Sequence, residues 1–192
     1  MIDIGIYLSD EDIYELLIKY DSSRRMSHLQ KVRGYTNILI NILIEEDNKL
    51  NSIDKNLLKY GSLLHDIGYF INKESHHKHS KYIILTDSFF DKLPSSQRNI
   101  LALLVASHRK NLDKEINYYP RREQEKIIQL IAILRLADAL DYGENNIIQE
   151  AYVEDKLLYF KSKEYPNEKE IKKFSTKSQL FKDTFNLDIV FI

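Results

Sequence analysis

The chain has no cysteine at all. That absence excludes disulfides, thiolate zinc sites and a cysteine nucleophile, and leaves imidazole and carboxylate groups as the strong metal ligands. An excess of either charge is also missing, since 28 Lys and Arg stand against 29 Asp and Glu. No global field then favours nucleic acid or an acidic membrane surface, and an anionic ligand has to be gripped by local groups. Long apolar runs are lacking too. The most apolar windows, residues 38–44 and 127–140, are short or broken by Asn41, Gln129, Arg135 and Asp138, which is too little to span a bilayer. At the start, Asp3, Asp10, Glu11 and Asp12 stand where a secretory signal would carry basic residues and an unbroken apolar stretch. The expectation is a cytoplasmic protein with no nucleic-acid or membrane partner.

What is present suffices for a sizeable core, because 192 residues can bury one compact unit. Apolar spacing predicts a mainly α fold. Ser9 and Asp10 cap a first helix carrying Ile13, Leu16, Leu17 and Tyr20, and further helices are expected over about 25–45 and 53–71. A fourth runs from the His76 region to about Thr86, a fifth restarts at Pro94 and reaches His108 or Arg109, and a sixth spans Arg121 to about Tyr142. After Gly143 the pattern changes. Residues 148–153 and 156–160 flank Glu154-Asp155 as a hairpin, a helix follows over 167–181, and alternation at Leu187, Ile189 and Phe191 predicts a last strand. Helical bundle 1–144 and a small α+β extension 145–192 are thus expected to pack as one unit.

All six histidines lie between His28 and His108. Three predicted helices each carry an apolar stripe that includes a metal-capable group: His28 with Val32, Tyr35 and Leu39, His108 with Leu101, Leu104 and Val105, and Asp138 with Ile127, Ile131 and Leu134. A single histidine on such a stripe is ordinarily a hydrogen-bonded core residue. Asp138 is harder to explain that way, because an unpaired buried carboxylate costs on the order of 3 to 5 kcal/mol. Arg135, one turn earlier, is its available partner. His65 and Asp66 are adjacent, about 100° apart on a helix, so both can lean toward one point. His76-His77-Lys78-His79 adds further donors. Arg25 before His28, and Arg109 and Lys110 after His108, are either solvated surface or the means to hold a phosphate.

The order of His28, His65-Asp66, a further His, His108 and Asp138 resembles the HD phosphohydrolase superfamily, over about residues 27–142. A closer resemblance is to the C-terminal helical domain of the exopolyphosphatase/guanosine pentaphosphate phosphatase family. It is carried by Leu63-Leu64-His65-Asp66-Ile67-Gly68, by His76-His77-Lys78-His79-Ser80, by Ser107-His108-Arg109-Lys110 and by Leu134-Arg135-Leu136. The actin-like domains that hydrolyse phosphate chains in those enzymes are not found in this sequence, so their catalytic residues do not transfer, and a free-standing helical domain is expected.

The superfamily pattern implies one metal held by His28, His65, Asp66 and Asp138, and a second held by Asp66 as a bridge, His108 and one histidine of 76–79. Members often place that ligand four residues before a small residue; here the small residue is Ser80, which selects His76. A lysine that sometimes follows the doublet is missing, with Tyr69 nearby, which speaks against the cyclic-dinucleotide subclass. The implied function is a metal-dependent phosphohydrolase with one or two Mn, Fe, Co or Ni ions per chain, acting on a nucleotide or other small phosphate ester or anhydride. Asp66 and Arg109 would be catalytic, with Arg25, Arg109 and Lys110 on the substrate. The alternative is a regulatory module that binds metal and nucleotide or phosphate without turnover, and homodimerisation is left open.

Overall fold

The computed structural model describes residues 2–46, 50–141, 148–162 and 165–192. The helices are α1 (Asp10–Lys19), α2 (Met26–Glu46), α3 (Ser52–Leu64), α4 (His76–Thr86), α5 (Ser95–Ala106), α6 (Arg121–Leu140) and α7 (Glu168–Phe185). The strands are β1 (Ile148–Glu154), β2 (Leu157–Ser162) and β3 (Asp188–Phe191). The expected class, mainly helical with a small C-terminal sheet, is the observed one. None of the described helices is long and apolar enough to cross a membrane.

Helix α6 is the axis of the molecule. From Leu130 to Ala137 every residue is buried, the pattern of a helix surrounded on all sides, and α2, α3, α5 and α7 all pack against it. Local chemistry sets several helix starts. Ser9 with Asp12, Asn51 with Asp54, and Asn167 with Glu170 form reciprocal capping boxes at α1, α3 and α7.

In the sheet, β1 pairs antiparallel with β2 and β2 parallel with β3. The β1–β2 hairpin turns through Asp155 and Lys156, both at positive φ (47° and 63°), as a two-residue turn compatible with strand twist requires. The parallel pair needs a crossover, which α7 supplies. Its Phe174 ring meets Phe191 of β3 at 5.0 Å, and Asn186 ends it in the left-handed region, φ 53°.

Three expected boundaries are corrected. The third helix stops at Leu64 rather than running to residue 71, and α5 stops at Ala106, two residues short of His108. Helix α7 continues one turn past Phe181 to Phe185. Short 3-10 turns that apolar spacing did not predict occupy Ser88–Lys92 and Lys114–Tyr118. Tyr142, Gly143 and the expected boundary at 144/145 lie outside the described residues.

Candidate metal centre

The early end of α3 is made by a distant hydroxyl. Ser80 of α4 donates to the His65 carbonyl at 2.8 Å and accepts from the Gly68 amide at 3.0 Å. It thereby takes one acceptor and one donor that a continuing helix would have used itself. Residues beyond Leu64 tighten into i→i+3 bonds, Ile67 to Leu64 and Tyr69 to Asp66. Only glycine fits at 68, because a Cβ there would lie 2.5 Å from the Ser80 nitrogen and 2.6 Å from the His76 oxygen. This contact presses the start of α4, and with it His76, onto the His65-Asp66 turn.

Four imidazoles then converge, each anchored through Nδ1. His65, His76 and His108 donate Nδ1–H to the carbonyls three residues earlier, those of Ser62, Lys73 and Val105, at 2.7, 2.7 and 2.6 Å. His28 Nδ1 donates to Asp141 Oδ2 at 2.6 Å. Such anchoring selects the tautomer with a bare Nε2 lone pair. The Nε2 atoms face one another in pairs, His28 with His65 at 3.2 Å and His76 with His108 at 2.9 Å. Two lone pairs at that separation repel unless a proton or a cation lies between them. First-row ions bind imidazole nitrogen at about 2.0–2.1 Å, so ligands on one ion are spaced much like these.

Asp66 stands between the pairs with its oxygens divided. Oδ1 is 2.9 Å from His76 Nε2 and 3.7 Å from His108 Nε2, whereas Oδ2 is 3.6 Å from both His28 and His65 Nε2. His28, His65 and Asp66 form one group able to hold a metal, and Asp66, His76 and His108 a second. Asp138, near the end of α6, points Oδ1 at the first group, 3.6 Å from His28 and 4.0 Å from His65.

Electrostatics suit the same use. Burial opposes ionisation of Asp66, but His65, His76, His108 and Arg25 outweigh it and hold the carboxyl well below the usual range. Burial opposes ionisation of Asp138 too, and Lys177 with the nearby histidines prevails. Burial lowers the His65 imidazole, and together with the neighbouring His65 it pushes His108 down to about 3. A lowered imidazole favours the neutral ring, the state in which imidazole donates to a metal.

Above the cluster opens a cleft of about 730 Å³. Arg25, Arg109, His76 and His108 are on its wall, with Tyr69 and Lys177. Arg25 bonds Asp66 Oδ2 at 2.5 Å and lies 4.1 Å above the Tyr69 ring. Arg109 donates to the Glu74 carbonyl at 3.2 Å. Lys110 is exposed and is not part of the described wall. Of the remaining histidines, His77 is half-buried, its ring centroid 6.4 Å from that of His108, and His79 lies beside Gly68.

Two residues of the site escaped the sequence reading. Asp141, which orients His28, follows Asp138 at a helical i, i+3 spacing that could have flagged it. Lys177 of α7 bonds Asp138 Oδ2 at 2.7 Å, and no local signal marks it. Arg135, the expected partner of Asp138, instead donates Nε–H to the Ser107 carbonyl at 2.7 Å.

A sequence model of the family described as Ppx/GppA phosphatase, domain III, matches residues 15–185, which takes in all of these residues. The chain belongs to the Ppx/GppA phosphatase domain III family.

Proposed function

We propose that the chain is a metal-dependent phosphohydrolase of the HD type, acting on a nucleotide or other small phosphate ester or anhydride. The observation that carries this reading is Asp66, whose two oxygens face different imidazole pairs inside one buried cluster. In it, His28, His65, Asp66 and Asp138 hold one divalent ion, and Asp66, His76 and His108 a second, drawn from Mn, Fe, Co or Ni. When bound, such ions supply Lewis-acid activation of water and of the phosphoryl group.

The protein's own groups do the rest. Asp141 and the backbone carbonyls keep the imidazoles in the donor tautomer. Arg25 and Arg109 flank the cleft and grip phosphate oxygens, with Arg109 neutralising charge on the transferring group and Lys110 adding to the local field. Residues 1–144 and 145–192 act as one unit, since Asp138 of the bundle and Lys177 of the extension share the site.

One observation favours a second reading, in which the domain binds metal and nucleotide or phosphate as a regulator. The family match is to a single domain of a phosphatase, its domain III. Elemental analysis and a phosphate-release panel with Mn²⁺ separate the two. One to two metals per chain with hydrolysis of a small nucleotide or phosphomonoester, in preference to long polyphosphate, supports the enzyme. Bound metals with no turnover across the panel supports the regulator, and less than about a tenth of an equivalent of metal, with no uptake of added Mn²⁺, rejects both.

A further inference from the structure

Helix α7 buries Phe174, Ser178 and Phe181, a 4-and-3 spacing that defines its inner face. Lys177 lies on that same face. A lysine on the apolar side of a helix has to bring its ammonium out of the packing to a charge or to water, and this one reaches Asp138 Oδ2 at 2.7 Å while lining the cleft. Asp138 is itself divided, with Oδ1 turned to the imidazoles and Oδ2 to the lysine. The carboxylate therefore holds the ammonium beside the cluster without giving up its inner oxygen.

The charges around the cleft say what such a lysine is for. Its wall carries Arg25, Lys73, Arg109 and Lys177 against Asp66, Glu74 and Asp138. If Asp66 and Asp138 serve as ligands, a divalent ion cancels their charge, and the wall is left strongly cationic over an opening wide enough for a small anion. Arg25, Arg109 and Lys177 come from three separate parts of the chain, so their arrangement surrounds an opening rather than lying along one solvated face.

We infer that Lys177, presented by the C-terminal helix and aimed by Asp138 Oδ2, is a phosphate-binding residue of the cleft. This rests on the metal-centre reading above. It makes the C-terminal extension a contributor to substrate recognition as well as a cover for the bundle.

The test uses the full chain loaded with Mn²⁺ and inorganic phosphate as the probe. Lysine acetylation, read by peptide mass spectrometry, should fall severalfold at Lys177 when phosphate is added and stay unchanged at Lys182, which faces Asp188. Lys177→Met should weaken phosphate binding about tenfold, as loss of a charged hydrogen bond does, at unchanged Mn²⁺ stoichiometry, and Lys177→Arg should restore it. Lys177→Met that lowers thermal stability while phosphate affinity holds would show a helix-docking tie and overturn the inference, as would unprotected Lys177 in the wild type. A wild-type chain that takes up no Mn²⁺ would remove the metal-centre reading and this inference together. Should Lys177→Met fail to fold, the wild-type footprint decides.

Discussion

Asp66 is the residue at which one change has the widest reach, because its oxygens face both imidazole pairs. Asp66→Ala should reduce bound metal below about a tenth of an equivalent and abolish any hydrolysis, measured by elemental analysis and phosphate release. Among the clustered histidines, His76→Ala should lose one metal, while His79→Ala, away from the Nε2 cluster, keeps both. Equal losses would contradict the assignment. The candidates His28, His65, Asp66, His76, His108 and Asp138 were legible because each is a metal-capable group in the order that the superfamily resemblance implies, and that resemblance alone singled out His76 from His77 and His79. Asp141 and Lys177 were not selected, since an acid at a helix end and a lysine in a basic stretch look solvated until their partners are known.

The elements that position the cluster depend on contacts between segments distant in sequence. Ser80→Ala leaves the Gly68 amide and the His65 carbonyl without their buried partner, and should destabilise the fold by about 2 kcal/mol in chemical denaturation. A second such contact joins the end of α1 to the end of α4. Asp87 accepts from Lys19 Nζ at 2.6 Å, from the Tyr20 hydroxyl and from the Phe89 amide at 2.8 Å. Burial opposes its ionisation, but these donors prevail and move the carboxyl from 3.8 to about 2. A lowered carboxyl contributes stability that is full above its unfolded value and fades as pH falls through the folded one. Stability measured from pH 5 down to pH 2 should therefore show an acid-side loss about 2 kcal/mol smaller in Asp87→Asn than in the wild type. Helix starts were readable because Ser9, Asn51 and Asn167 cap locally. The end of α3 was not, because Ser80, fifteen residues beyond His65, makes it.

At the scale of the whole molecule, a metal that binds only the folded chain has to stabilise it. With free Mn²⁺ a hundredfold above its dissociation constant, mass action adds about 2.7 kcal/mol, and calorimetry should show Tm higher by about 5–10 °C. An unchanged Tm would contradict a preformed centre. The division of labour between sequence and structure follows from range. Apolar periodicity and capping residues act within one or two turns, so the sequence by itself determined the helical class, the hairpin and the terminal strand. Absence of cysteine likewise determined that any strong metal site is built from imidazole and carboxylate. Tertiary structure alone decided that His28, His65, His76 and His108 face each other in two pairs across Asp66, and that α7 brings Lys177 to Asp138. Those relations depend on how α2, α5 and α7 pack around α6 and on how closely Gly68 lets α4 approach, and packing geometry is a sum over distant contacts that no local pattern encodes.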